Sequence, residues 1–159
     1  GFNYMFDLPG RHSLMFSLNT GFASEEAPGW QLGGLPPQED YALFGREQLS
    51  LRGFDSGNQF GRYYDRERLV YAAQLSSIND NWGIWPLGLD DLELRVFLER
   101  GRAWTESDDP EAMVGTGVEL RLNSIVGYRA LVPVVLGVAQ GLQGIGSETQ
   151  GYFGIQAAF

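Results

Sequence analysis

The chain has 159 residues, which suits one ordinary domain, and a formal net charge of −9, which disfavours a nucleic-acid interface because phosphate contacts need a surplus of Lys and Arg. It contains no cysteine, which excludes a disulfide framework, a thiolate metal site and a cysteine nucleophile. Its 22 glycines and 13% aromatic residues are the composition of many strands, tight turns and interfacial rings. No apolar run reaches the roughly 18 residues of a membrane helix, and the longest, 130–139, is interrupted by Pro133. Membrane strands are not excluded, because they alternate lipid-facing with lumen-facing residues and keep a modest mean hydropathy.

Period-two alternation recurs and predicts seven strands. The first covers 1–8 and is followed by the turn Pro9-Gly10-Arg11. The second runs from His12 to Ala23, with Leu14, Phe16, Leu18 and Phe22 on one face and Ser13, Ser17, Asn19 and Gly21 on the other. A long irregular segment rich in Gly, Pro and charge follows over 24–67. The third strand, 68–78, sets Leu69, Tyr71, Ala73 and Leu75 against Val70, Ala72, Gln74 and Ser76. The fourth, 92–104, alternates most plainly: Leu92, Leu94, Val96 and Leu98 oppose Glu93, Arg95, Phe97, Glu99 and Gly101. The fifth, 114–122, places Val118, Leu120 and Leu122 opposite Gly117, Glu119 and Arg121. The sixth, 128–139, carries Ala130, Val132, Val134, Leu136 and Val138 on one face, and the seventh, 150–159, carries Phe153, Ile155, Ala157 and Phe159.

Charges such as Arg95, Glu99, Glu119, Arg121 and Arg129 would be costly inside a soluble sandwich without partners, whereas on a wet lumen wall they cost little. The connections follow the same logic. With the C-terminus in the periplasm, 140–149, 105–112 and 24–67 fall outside, and 123–127, 79–91 and 9–11 fall inside. This is mostly the long-outer, short-inner rule of outer-membrane barrels, with 79–91 long for an inner turn. Trp82, Trp85 and Trp104 fall near strand ends, where an aromatic belt would sit. The expected fold is therefore all-β: an antiparallel transmembrane β-barrel, with 24–67 as its extracellular or lumen loop.

Several short stretches in family order carry a resemblance. Leu51-Arg52-Gly53-Phe54 resembles the (V/I/L)-R-G-(F/Y) motif of the BamA/TamA/FhaC superfamily of bacterial surface-antigen barrels. The stretch 96–104 resembles that family's F-x-D-x-G-x-(V/A)-W strand through Phe97, Gly101 and Trp104, with Glu99 where the family usually has Asp. Gly115-Thr116-Gly117 resembles a G-x-G strand start, and Tyr128 to Gly137 the strand after it. The terminal Phe159, with Phe153 and Ile155 on the same face, resembles the outer-membrane β-signal. The similarity covers roughly 30–159. It departs from the family at Gln74, where a Glu is common, and in the inserted-looking stretch 35–48.

The resemblance implies a sixteen-strand barrel whose motif loop folds back into the lumen, with Arg52 paired to Glu99. A charge-assisted pair of this kind helps offset the ordering entropy of a long loop. It also implies Gly53 in a close approach or at positive φ, and Phe54 packed on the inner wall. Seven strands are too few for such a barrel, so residues 1–159 are expected to be the C-terminal seven to eight strands of a longer protein, unless further copies or an eighth strand hidden in 30–54 meet the open edges. The start at Gly1-Phe2, without Met or a signal-peptide pattern, is read as a trimmed product.

No H-E-x-x-H, G-x-S-x-G or P-loop pattern is present. The lone His12 is read as a surface residue, and Asp90-Asp91 and Asp108-Asp109 as solvated loop charge. Glu93, Glu99 and Glu119 are expected to share the lumen face, without a nucleophile beside them. The expectation is a barrel without catalytic residues, metal or cofactor. It would sit in the bacterial outer membrane, with lipid, client outer-membrane or secreted polypeptides, and accessory subunits of an assembly complex as partners. Its expected role is protein insertion or translocation, through the lumen or at a seam bordered by the last strand, where Gly151 and Gly154 weaken pairing. The alternatives are an anchor or translocator barrel for a missing N-terminal domain such as a lipase, an eight-strand pore or adhesin, and a soluble β-sandwich or lipocalin-like binder.

Overall fold

The computed structural model describes all residues except 36–47, 82–86, 107, 109, 127–129 and 156–159. In chain order its strands are β1 (Phe2–Leu8), β2 (His12–Phe22), β3 (Trp30–Leu32), β4 (Gln48–Leu49), β5 (Gln59–Gly61), β6 (Tyr63–Asn81), β7 (Leu87–Trp104), β8 (Met113–Val126), β9 (Ala130–Gln143) and β10 (Thr149–Ile155). Seven of them form one antiparallel sheet in the order β1-β2-β6-β7-β8-β9-β10, and β4-β3-β5 form a small second sheet. No helix occurs among the described residues. The sheet is open, with β1 and β10 as its edges.

The main sheet is a plain meander apart from the β2-to-β6 connection, which carries the small sheet. The first hairpin turns at 9–11, where Gly10 and Arg11 both have positive φ (83° and 65°), as a tight reversal requires.

Several boundaries differ from the sequence reading: β8 runs on to Val126 and β9 to Gln143, past the expected ends at 122 and 139, so that most of the expected turn 123–127 is strand. The irregular segment does not extend to 67, because β6 begins at Tyr63. The segment is not wholly irregular either: β3 pairs with β4 and β5, and none of the three adds an eighth strand to the main sheet. The connection read as 79–91 shrinks to 82–86, because β6 and β7 continue pairing to Asn81↔Gly88 through register shifts beyond Gln74. Trp82, Trp85, Tyr128, Arg129, Ala157, Phe159 and most of the inserted stretch lie outside the described residues.

Register aligns like with like across the sheet, since directly opposed residues share a face. One row is Tyr4, Phe16, Leu69 and Leu98, and another is Val96, Val118 and Val138. This face is apolar and exposed: Leu136 retains 59% of its accessible surface, Phe153 61% and Val118 46%. The opposite face carries Arg68, Phe97, Glu99, Glu119 and Tyr152, and Glu99 is fully buried there. The segment between β2 and β6 folds over this polar face. Leu32, Leu51 and Phe54 pack on Ala103 and Met113 of the sheet in one buried cluster. A second cluster joins Val70, Phe97 and Ala139, with Met15 and Tyr152 against it.

The sheet thus leaves a contiguous apolar face exposed and buries a carboxylate on the other, two arrangements that are each uncommon unless the carboxylate is paired and the apolar patch has a partner.

Candidate functional site

The site is built on the inner face of the adjacent strands β7, β8, β9 and β10, under the loop. Alternation sends Phe97 and Glu99 of β7, Glu119 of β8, and Gln150 and Tyr152 of β10 to that face. Two glycines clear the floor. A Cβ on Gly115 would stand 2.3 Å from the Arg52 carbonyl oxygen, so only glycine lets the loop backbone descend onto β8. Gly53 has φ +87°, and a Cβ there would stand 2.4 Å from the backbone nitrogen of Gly141.

Arg52 is the centre. Its Nη2 donates to Glu99 Oε1 at 2.6 Å, its Nε to Oε2 at 3.3 Å, and its backbone N–H to Oε2 at 3.1 Å. One carboxylate therefore fixes both the side chain and the main chain of the motif residue. Nη1 donates to Glu119 Oε1 and, at 3.3 Å, to the Tyr152 hydroxyl, which itself donates to Glu119 at 2.7 Å. The guanidinium stacks on Phe97, 3.4 Å from the ring centroid. Only 4% of Arg52 is exposed. Burial works against its charge, but Glu99 and Glu119 outweigh that cost and hold its pKa above the ordinary arginine value.

Glu99 receives more than one cation. Arg66 Nη2 is 3.5 Å from Oε1 and also donates to Ser50 Oγ at 3.1 Å. Arg68 Nε is 2.6 Å from the same oxygen, close enough for ion pairing although its N–H is not aligned for a hydrogen bond. Three guanidiniums converge on one fully buried carboxylate.

The structure thus brings together Leu51, Arg52, Gly53, Phe54, Phe97 and Glu99. Leu51 and Phe54 are fully buried, and Gly101 lies beneath Leu32, with 3.1 Å between a would-be Cβ and Leu32 Cδ2. Phe153 and Ile155 lie elsewhere, exposed on the apolar face opposite Leu136 and Val134. Phe159 is outside the described residues. Glu93 is on the inner face but pairs with Arg95 of its own strand. The sequence reading did not assign Arg66, Arg68, Gln150 or Tyr152 to the site. Inward parity was the available signal for Arg68, Gln150 and Tyr152, but parity does not fix the height at which a residue meets the loop, and Arg66 fell in the segment read as irregular.

The arrangement holds a loop through charge-assisted hydrogen bonds, with the Ser50 hydroxyl occupied by Arg66. Among the described residues no group of three His, Cys, Asp or Glu is placed to bind a metal. Searches against protein-family models, curated proteins and solved structures find no match to the chain.

Proposed function

We propose that this chain is the C-terminal part of an outer-membrane β-barrel of the surface-antigen type, which inserts or translocates other polypeptides. The observation that carries the reading is the pairing of opposites on one sheet. One face is apolar and exposed, and the other holds a buried ionic cluster that pins a long loop. In lipid the apolar face is favourable, and the polar face becomes a lumen wall. The connections support an orientation. The β1–β2, β6–β7 and β8–β9 connections share one end of the sheet, and the β2–β6, β7–β8 and β9–β10 connections share the other. By the short-inner rule the first end is periplasmic, as is the C-terminus.

The open sheet fits a piece of a larger barrel whose further strands meet β1 and β10. Membrane lipid, client outer-membrane or secreted chains, and accessory subunits of an assembly complex are the partners of this reading. The test is reconstitution of the full-length protein in lipid vesicles with an unfolded outer-membrane barrel as client. Client folding or uptake faster than in protein-free vesicles is the expected result. An unchanged rate with correctly folded protein would overturn the insertase-or-translocator reading.

A further inference from the structure

We infer that Gln150 and Tyr152 form a latch by which the motif loop holds the terminal strand β10 on the sheet. β10 is an edge strand whose only pairing partner among the described strands is β9, along Thr149↔Gln140 to Ile155↔Val134. Its own packing is thin. Nothing lies within 4 Å of a would-be Cβ at Gly151 or Gly154, and its outward residues Phe153 and Ile155 are exposed. What grips it lies on the inner face.

The Gln150 side chain works as a two-way clamp on the loop main chain: its Oε1 accepts from Gly53 N–H at 3.0 Å and its Nε2 donates to Phe54 O at 2.8 Å. Two residues on, Tyr152 joins Arg52 and Glu119, tying β10 to both the loop and β8. The tight connection before β10 is sewn to the same place. Glu148 N–H donates to Gly53 O at 2.9 Å, and Phe54 bridges to Ser147. Every inward large side chain of β10 is therefore committed to the Arg52 site, while its far edge has no partner among the described residues.

By linkage, a group that stabilises the docked loop also stabilises paired β10, and the reverse. Loop release therefore weakens the hold on β10. This coupling is a property of the fold and does not depend on the polypeptide-handling reading, so the two can fail separately.

The experiment is amide hydrogen exchange on the full-length protein in detergent, with β8 as internal reference. Arg52→Ala acts from the loop side, and Gln150→Ala combined with Tyr152→Phe acts from the strand side. In both, exchange within 149–155 is expected to rise about tenfold or more over wild type relative to β8, on the scale of losing a few net hydrogen bonds. The strand-side variant is also expected to raise exchange at Leu51 and Arg52, whose amides Gln150 does not touch. Exchange within 149–155 equal to wild type in Arg52→Ala overturns the latch. So does unchanged exchange at Leu51 and Arg52 in the strand-side variant. If Arg52→Ala weakens β8 as well, Arg52→Lys, which keeps the charge but loses the fork, replaces it under the same criteria.

Discussion

The ring of Phe97 reaches across to β8 only because its neighbour there is Gly117: a Cβ at 117 would stand 2.4 Å from Phe97 Cζ. That ring is the platform on which the Arg52 guanidinium rests. A strand glycine thus shapes the site without touching Arg52. Gly117→Ala is expected to tilt Phe97 and destabilise the fold by about 1–3 kcal/mol, the usual range for overpacking. A urea midpoint equal to wild type would contradict this.

Glu99 should matter more than Arg52. Glu99→Gln leaves three guanidiniums around an uncharged amide, whereas Arg52→Ala leaves Glu99 with Arg66 and Arg68. Removing one partner of a buried ion pair costs about 3–5 kcal/mol. Arg52→Ala is expected at or below the low end and Glu99→Gln above it, both with faster protease cleavage within 51–58. The reverse order would show that Arg66 and Arg68 contribute nothing to the cluster.

Two glycines give opposite outcomes. Gly53→Ala puts a Cβ at φ +87° and 2.4 Å from Gly141, and is expected to undock the loop. Gly151→Ala meets open space and is expected to leave stability within about 0.5 kcal/mol, as surface changes usually do. Thermal unfolding of the pair, read with loop proteolysis, checks both; equal behaviour would contradict the docking geometry.

The apolar face gives a depth-sensitive test. Val118→Arg places a charge at the middle of the row Val96, Val118, Val138. In a lipid-facing sheet it is expected to cost about 2–4 kcal/mol on folding into vesicles. On a water-facing sheet the same change would fall within about 0.5 kcal/mol.

Strand alternation was readable because its period does not depend on which side is wet: Leu92 to Leu98 against Glu93 to Glu99 reads the same in either solvent. The strand ends were not readable. Residues 63–67 look like a loop because Asp65 and Glu67 put charge on the outward face, where they meet Arg102 and Arg100 across the strand pair. The polar run 79–81 and the register shifts near Ser77 and Leu89 hid the continuation of β6 and β7 in the same way. At the site, Arg52 and Glu99 came from the motif resemblance, and Glu119 from its parity. Gln150 and Tyr152 were missed because their role depends on register across β8, β9 and β10, which no local pattern encodes.

The most direct test of the membrane-barrel claim is heat-modifiability of the full-length protein in detergent, comparing gel mobility before and after boiling. A compact, faster-running band before boiling is the expected result. A water-soluble protein with the same mobility in both states would contradict it and leave the exposed apolar face to be covered by something other than lipid.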